Sequence, residues 1–151
     1  MFTLVPSQFF DPASAREALA EVADLKEGQV VGHLEIPQYD AVLVFAQDGD
    51  SAVDTPEIYK ILVQLPSCPE YNKILCSRIG DRLYLGVAQG KSLLLANSFQ
   101  AADFTTVQYY IFLSLTSLQL NPEFSTICWL TDLAADEEMS LYRYFKSVVR
   151  L

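Results

Sequence analysis

The chain has 151 residues, 51% of them apolar, and a formal charge of −9 from 19 acids against 10 bases. That length suits one domain or two small subdomains with a real core, and the apolar fraction excludes wholesale disorder. Nucleic acid and anionic membrane need clustered Lys and Arg to displace counterions; bases such as Arg78, Lys91 and Arg143 are scattered, which argues against both as partners, and the acidity reads as a solvated, repulsive surface.

Phe2 to Val5 reads as a short strand that Pro6 ends. Asp11-Pro12 starts a helix, with Asp as N-cap and Pro at the first helical position; Ala15, Leu19 and Val22 give it one apolar face through about Ala23. Val30 to Ile36 and Ala41 to Ala46 are two strands, the second almost continuously apolar, with Pro37-Gln38-Tyr39-Asp40 turning between them. Asp48-Gly49-Asp50-Ser51 is a loop. Thr55-Pro56-Glu57 opens a second helix, in which Ile58, Ile61, Leu62 and Leu65 fit the i, i+3, i+4, i+7 template. Pro66-Ser67-Cys68-Pro69 marks the internal boundary, giving subdomains at 1–66 and 70–151. Beyond it, Lys73 to Ile79, Arg82 to Ala88 and Lys91 to Asn97 form a meander, with Gly80-Asp81 and Gln89-Gly90 as tight turns. A long helix from Asp103 to Leu120, apolar nearly all round and therefore central, stops at Asn121-Pro122. Ser125 to Thr131 is a buried strand. A final helix is expected from Asp136 to Val149, with acids at its start and Lys146 and Arg150 at its end to suit the dipole. Interleaved helices and strands give an α/β class with mixed sheets and helices packed on them.

Three cysteines without paired spacing, Cys68, Cys76 and Cys128, do not suggest a disulfide framework, and with His33 as the only histidine a structural zinc site is not expected. Cys76 and Cys128 read as small buried hydrophobes. Met1-Phe2-Thr3-Leu4-Val5-Pro6 has no basic region and breaks at a proline, which argues against a signal peptide. The stretch Phe104 to Leu120 is too punctuated by Ser, Thr and Gln to span a bilayer, so a cytoplasmic chain without membrane insertion is expected.

The second half, an antiparallel meander followed by helix, buried strand and helix, resembles the ribonuclease H-like unit used twice in actin-like ATPases. The words Phe2-Thr3-Leu4-Val5-Pro6-Ser7, Ala41-Val42-Leu43-Val44-Phe45-Ala46, Leu94-Leu95-Ala96-Asn97-Ser98-Phe99, Gln108-Tyr109-Tyr110-Ile111 and Leu118-Gln119-Leu120-Asn121-Pro122-Glu123 are similar to those of a Bacteroidetes domain-of-unknown-function family. That family in turn resembles actin-like ATPases, including the cytoplasmic scaffold type of pilus assembly. Family members are longer at the N-terminus, and against them this chain begins at an interior strand, without the hairpin that carries the first phosphate loop. The resemblance implies a second phosphate hairpin with Asp-x-Gly; the matching strand Leu83-Tyr84-Leu85-Gly86-Val87 keeps Gly86 but has Tyr84 at the Asp position. It also implies paired glycines after the next buried strand, where Leu130-Thr131-Asp132-Leu133 has none. If ATP and magnesium bind, Gly86 and Asp132 are the candidate contacts.

Other constellations are weaker. Asp48-Gly49-Asp50-Ser51 puts Val53 and Tyr59 where a calcium loop needs Gly and Glu. Gly86 to Ser92 contains Gly-x-x-x-Gly-Lys-Ser, one residue short of a phosphate loop and between two strands. A two-metal nuclease needs converging carboxylates, and Glu35 is the exception in strand interiors that lack them. His33 has no Ser or Cys beside it, leaving only distant partners such as Ser98. The aromatic cluster Tyr109-Tyr110-Phe112 and Tyr142-Tyr144-Phe145 reads as core packing, or else as a partner surface. No catalytic or metal residue is assigned. The leading expectation is a non-catalytic interaction or scaffold protein, associating through the edge strand Phe2 to Val5. The alternative is a nucleotide-binding ATPase with unorthodox or missing phosphate loops.

Overall fold

A computed structural model describes residues 2–25, 29–47 and 56–151. The Asp48-Gly49-Asp50-Ser51 loop and the Thr55 cap lie outside the described residues. The chain divides into two compact units, Met1–Tyr59 and Lys60–Leu151.

The first unit holds a three-stranded sheet in the order β1-β3-β2, built from β1 Phe2–Pro6, β2 Val30–Ile36 and β3 Ala41–Gln47. Both outer strands run antiparallel to β3, so among the described residues β1 is an edge strand with β3 as its neighbour. Asp11 accepts a hydrogen bond from Ala13 N–H and starts a 3-10 turn that leads into α1 Ala15–Ala20. Ala15 and Leu19 pack with Val42 and Val44 of β3, while Leu43 and Phe45, also buried, occupy the other face of that strand. Between β2 and β3 the chain reverses through Pro37–Tyr39, and Asp40 takes the left-handed conformation at φ 50.

In the second unit, β4 Asn72–Ile79, β5 Arg82–Gln89 and β6 Ser92–Gln100 form an antiparallel meander. Gly80 and Gly90, at φ 57 and 56, make its turns. β7 Thr126–Trp129 then runs parallel to β4, and β8 Ser147–Arg150 parallel to β7, completing a five-stranded sheet in the order β6-β5-β4-β7-β8. The connections are α3 Phe104–Ser117 and α4 Ala135–Tyr142. Ile74, Cys76, Leu83, Leu85, Val87, Ile127 and Trp129 form one apolar face with Val107, Ile111 and Leu115 of α3 and Leu141 of α4. On the opposite face, Ile61 of α2 (Glu57–Gln64) and Leu65 just beyond it lie over Gly86 of β5.

Two expectations are corrected. The last helix does not reach Val149: it ends at Tyr142, where the Leu141 carbonyl accepts both Tyr144 and Phe145 N–H, and Phe145 turns into the core. Val148 and Val149, β-branched and able to pair with Ile127 and Cys128, continue as β8. Nor is α3 enclosed all round. It buries the stripe Val107, Ile111, Ser114 and Leu115 while Tyr109 and Leu113 stay exposed. It ends before Leu120, because Leu120 N–H reaches back to the Leu115 carbonyl and Gln119 turns left-handed at φ 58. The aromatic cluster is divided in the same way: Phe112 stacks on Phe145 and Tyr110 on Phe99, while Tyr142 and Tyr144 are about half exposed.

Candidate functional site

In sheets with parallel strands, ligands are met beyond the carboxyl ends of those strands. Here β4, β7 and β8 share that direction, and their ends bring together residues far apart in sequence. Arg78, near the end of β4, is held by Thr131, whose Oγ1 accepts its backbone N–H at 3.0 Å. The Arg78 guanidinium donates to Glu137 Oε2 at 3.3 Å and to the Ala102 carbonyl at 3.2 Å. Glu137 also accepts the Ala134 N–H at 2.9 Å, so one carboxylate caps α4 and neutralises Arg78. At the end of β8, Arg150 donates to Asp132 Oδ1 at 3.0 Å and to the Trp129 carbonyl at 3.4 Å. Beside this pair is a cavity of about 210 Å³ lined by Trp129, Leu133, Glu138 and Val148. Trp129 is 1% exposed and its Nε1 has no hydrogen-bond partner.

The two nucleotide candidates are not brought together. Gly86 sits in the middle of β5, buried, and a Cβ there would stand 2.6 Å from Ile61 Cγ2. Its missing side chain makes room for α2, with no space left for a phosphate. Asp132 lies beyond β7, exposed, and its carboxylate faces Arg150. Tyr84, at the position of the implied Asp, pairs with Ser77 inside the sheet. Neither candidate fits a metal–triphosphate, which needs acidic groups and open backbone together. Gly86 to Ser92 forms a strand, a turn and the start of a strand. His33 lies on β2 with its ring 4.9 Å from that of Phe10, and Ser98 on β6 accepts from Arg82. Glu35 is exposed on β2. Among the described residues, no group of three or more His, Cys, Asp or Glu could hold a metal ion. No helix among them is long and apolar enough to cross a membrane.

The three thiols are free and buried. The Cys68 thiol donates a hydrogen bond to Cys128, which, with burial, pushes Cys68 up; the same bond holds Cys128 below the ordinary thiol range. Burial, then the adjacent Cys128, pushes Cys76 well up. Arg78, Glu137 and Thr131 escape sequence reading because their pairing spans more than fifty positions; the signal available was only that Arg78 closes a strand parallel to the next buried one. Arg150 was hidden by its assignment to a helix end.

No curated protein matches the chain. The structure is similar to the crystal structure of a Bacteroides thetaiotaomicron protein with actin-like ATPase fold and unknown function, with a TM-score of 0.80 and 19% identity over 99% of this chain. The chain spans 64% of the length of that protein. The fold is therefore that of the actin-like ATPases. The family model described as "Protein of unknown function (DUF3822)" matches residues 56–148, and the chain belongs to that family.

Proposed function

We propose that this chain is a non-catalytic interaction module on an actin-like frame, working in the cytoplasm and engaging a protein partner by strand addition at β1. The observation that carries the reading is Glu137. This internal carboxylate occupies the position between the Arg78 guanidinium and the N-terminus of α4 where an anionic ligand would be drawn. The second arginine at the strand ends, Arg150, is likewise matched by Asp132. Three buried free cysteines suit a reducing compartment. The outer side of β1, half-buried over Phe2 to Val5, offers backbone groups to an added strand.

The test is thermal unfolding with and without Mg–ATP. Binding at about 100 times Kd would stabilise the fold by about 2.7 kcal/mol. The expected result is an unchanged Tm at millimolar nucleotide; a rise of several degrees would return the chain to the ATPases. For the partner, hydrogen exchange on the isolated complex should slow at Phe2 to Val5, and protection confined to other strands would overturn the β1 assignment.

A further inference from the structure

The segment leaving α2 crosses one face of the five-stranded sheet. Gly86, Leu75 and Cys128 are lateral neighbours across β5, β4 and β7, so they form a row on that face. Ile61 and Leu65 lie over the Gly86 end of the row. Three residues beyond Leu65, Cys68 is buried beside Lys73 of β4. Its carbonyl accepts from Lys73 Nζ, Lys73 is paired with Thr126, and Cys128 stands two positions further along β7 on the same face. There the Cys68 thiol hydrogen-bonds the Cys128 sulfur. Cys76, paired with Leu85 and Trp129, belongs to the opposite face with α3 and α4.

Cys68 is the one inward residue of an otherwise exposed connection, since Pro66, Ser67, Pro69, Glu70 and Tyr71 face solvent. That connection is pinned rather than packed. Lys73 Nζ donates to the Glu70 carbonyl at 2.9 Å, and the Glu70 carboxylate, held below the usual range by Lys146, pairs with it at 2.7 Å. Glu70 itself sits at φ 73, a conformation that costs a non-glycine residue. Opening of this connection is the route by which solvent would reach the Cys68 sulfur.

We propose that Cys68 and Cys128 are a dithiol modification site, closed to a disulfide by a peroxide and reopened by a small thiol, which staples the connection after α2 to β7. Cys128, as thiolate, attacks a peroxide oxygen: the S–O bond forms, the O–O bond breaks, and the leaving hydroxide takes the Cys128 proton as water. The Cys68 sulfur then attacks the sulfenic sulfur of Cys128. The S–S bond forms, the S–O bond breaks, and the second hydroxide leaves with the Cys68 proton. Two thiols and one hydrogen peroxide give one disulfide and two waters.

The experiment treats the purified chain with hydrogen peroxide, blocks remaining thiols, denatures it and maps the cysteine peptides. Free thiols should fall from three to one, the survivor being Cys76, with a loss of two hydrogens in mass and full recovery in dithiothreitol. The oxidised form should melt about 5–10 °C higher, because the link closes a long loop. Cys76→Ser should form the same link and Cys128→Ser none; the peptide map of the unsubstituted chain decides the matter if Cys128→Ser does not fold. Three surviving thiols, a link through Cys76, a link between chains, or sulfinic acid at Cys128 in place of the disulfide would each overturn the proposal.

Discussion

Replacing Gly86 with alanine adds one methyl to the most crowded point of the sheet. The new Cβ would stand 2.6 Å from Ile61 Cγ2 and 3.3 Å from Leu65 Cδ2, both on side chains with no exposed surface. Real carbon contacts do not close below 3 Å, so α2 must lift or Ile61 must leave its rotamer. Overpacking of this kind costs about 1–3 kcal/mol, and the reduced freedom of the unfolded alanine chain returns about 0.5–1 kcal/mol. The net loss is about 0–2.5 kcal/mol, centred near 1 kcal/mol, or up to roughly 10 °C in Tm for a chain this size. Urea unfolding followed by the fluorescence of Trp129, the single tryptophan, reads the same sheet. Ile61→Ala removes the clashing Cγ2. Alone it should cost about 2–5 kcal/mol, and in the Gly86→Ala background about 1 kcal/mol less. A raised midpoint for Gly86→Ala, or strictly additive effects, would refute the packing role and reopen Gly86 as a site of ligand approach.

Three further outcomes are expected from the same assay. Arg78→Ala should lose about 1–2 kcal/mol, since it strands Glu137 and the Ala102 carbonyl at a partly buried pair, whereas Arg150→Ala, whose partner Asp132 is 95% exposed, should lose less than about 0.5 kcal/mol; the reverse ranking would refute the assignment of the tighter network to β4. Gln119→Gly should raise stability by about 0.5–1 kcal/mol, because glycine takes the left-handed conformation at the end of α3 without a Cβ penalty, and a lowered Tm would contradict the φ of 58. Asp103, which caps α3 by accepting the Thr106 N–H at 2.7 Å, has its carboxyl held below the ordinary 3.8 by that bond. A depressed carboxyl contributes stability that is present above pH 3.8 and lost as pH falls through the lower native value. The advantage of the parent chain over Asp103→Asn should therefore shrink on acidification below that point, and a gap that stays constant down to acid unfolding would refute the cap.

Much of the fold was legible because its signals are local. Asp11-Pro12 and Asp103 announce helix starts through side chains that accept from backbone amides two and three residues on. Gly80 and Gly90 mark hairpins because those turns demand positive φ. The apolar run of β3 and the spacing Ile61, Leu62, Leu65 follow from burial on a sheet and on one helical stripe. What failed was the end of α4. Asp136, Glu137 and Glu138 proclaim its start, but no glycine or proline stops it, and the change to a strand is decided by the pairing of Val148 and Val149 with β7. The site was less legible still. Gly86 looks like a phosphate glycine in sequence, and only the position of Ile61 shows what its missing side chain is for.

The actin-like frame and nucleotide chemistry impose separable demands on a sequence. The frame needs apolar rows that register across strands, and Ile74, Cys76, Leu85, Ile127 and Trp129 supply them without reference to any ligand. A phosphate site needs the opposite of a satisfied network: donors at a helix start and a cation left unpaired until the anion arrives. At the ends of β4 and β7 the donors and the cation are all present, in the Ala134 amide, the start of α4 and Arg78. Glu137 reaches both from within the chain, at 2.9 and 3.3 Å. A built-in carboxylate has the advantage of effective concentration over any free anion. An entering phosphate would have to displace it and leave a fixed negative charge beside its own. Within the chain, the Ala134 amide, the Glu137 carboxylate and the Arg78 guanidinium satisfy one another at the strand ends.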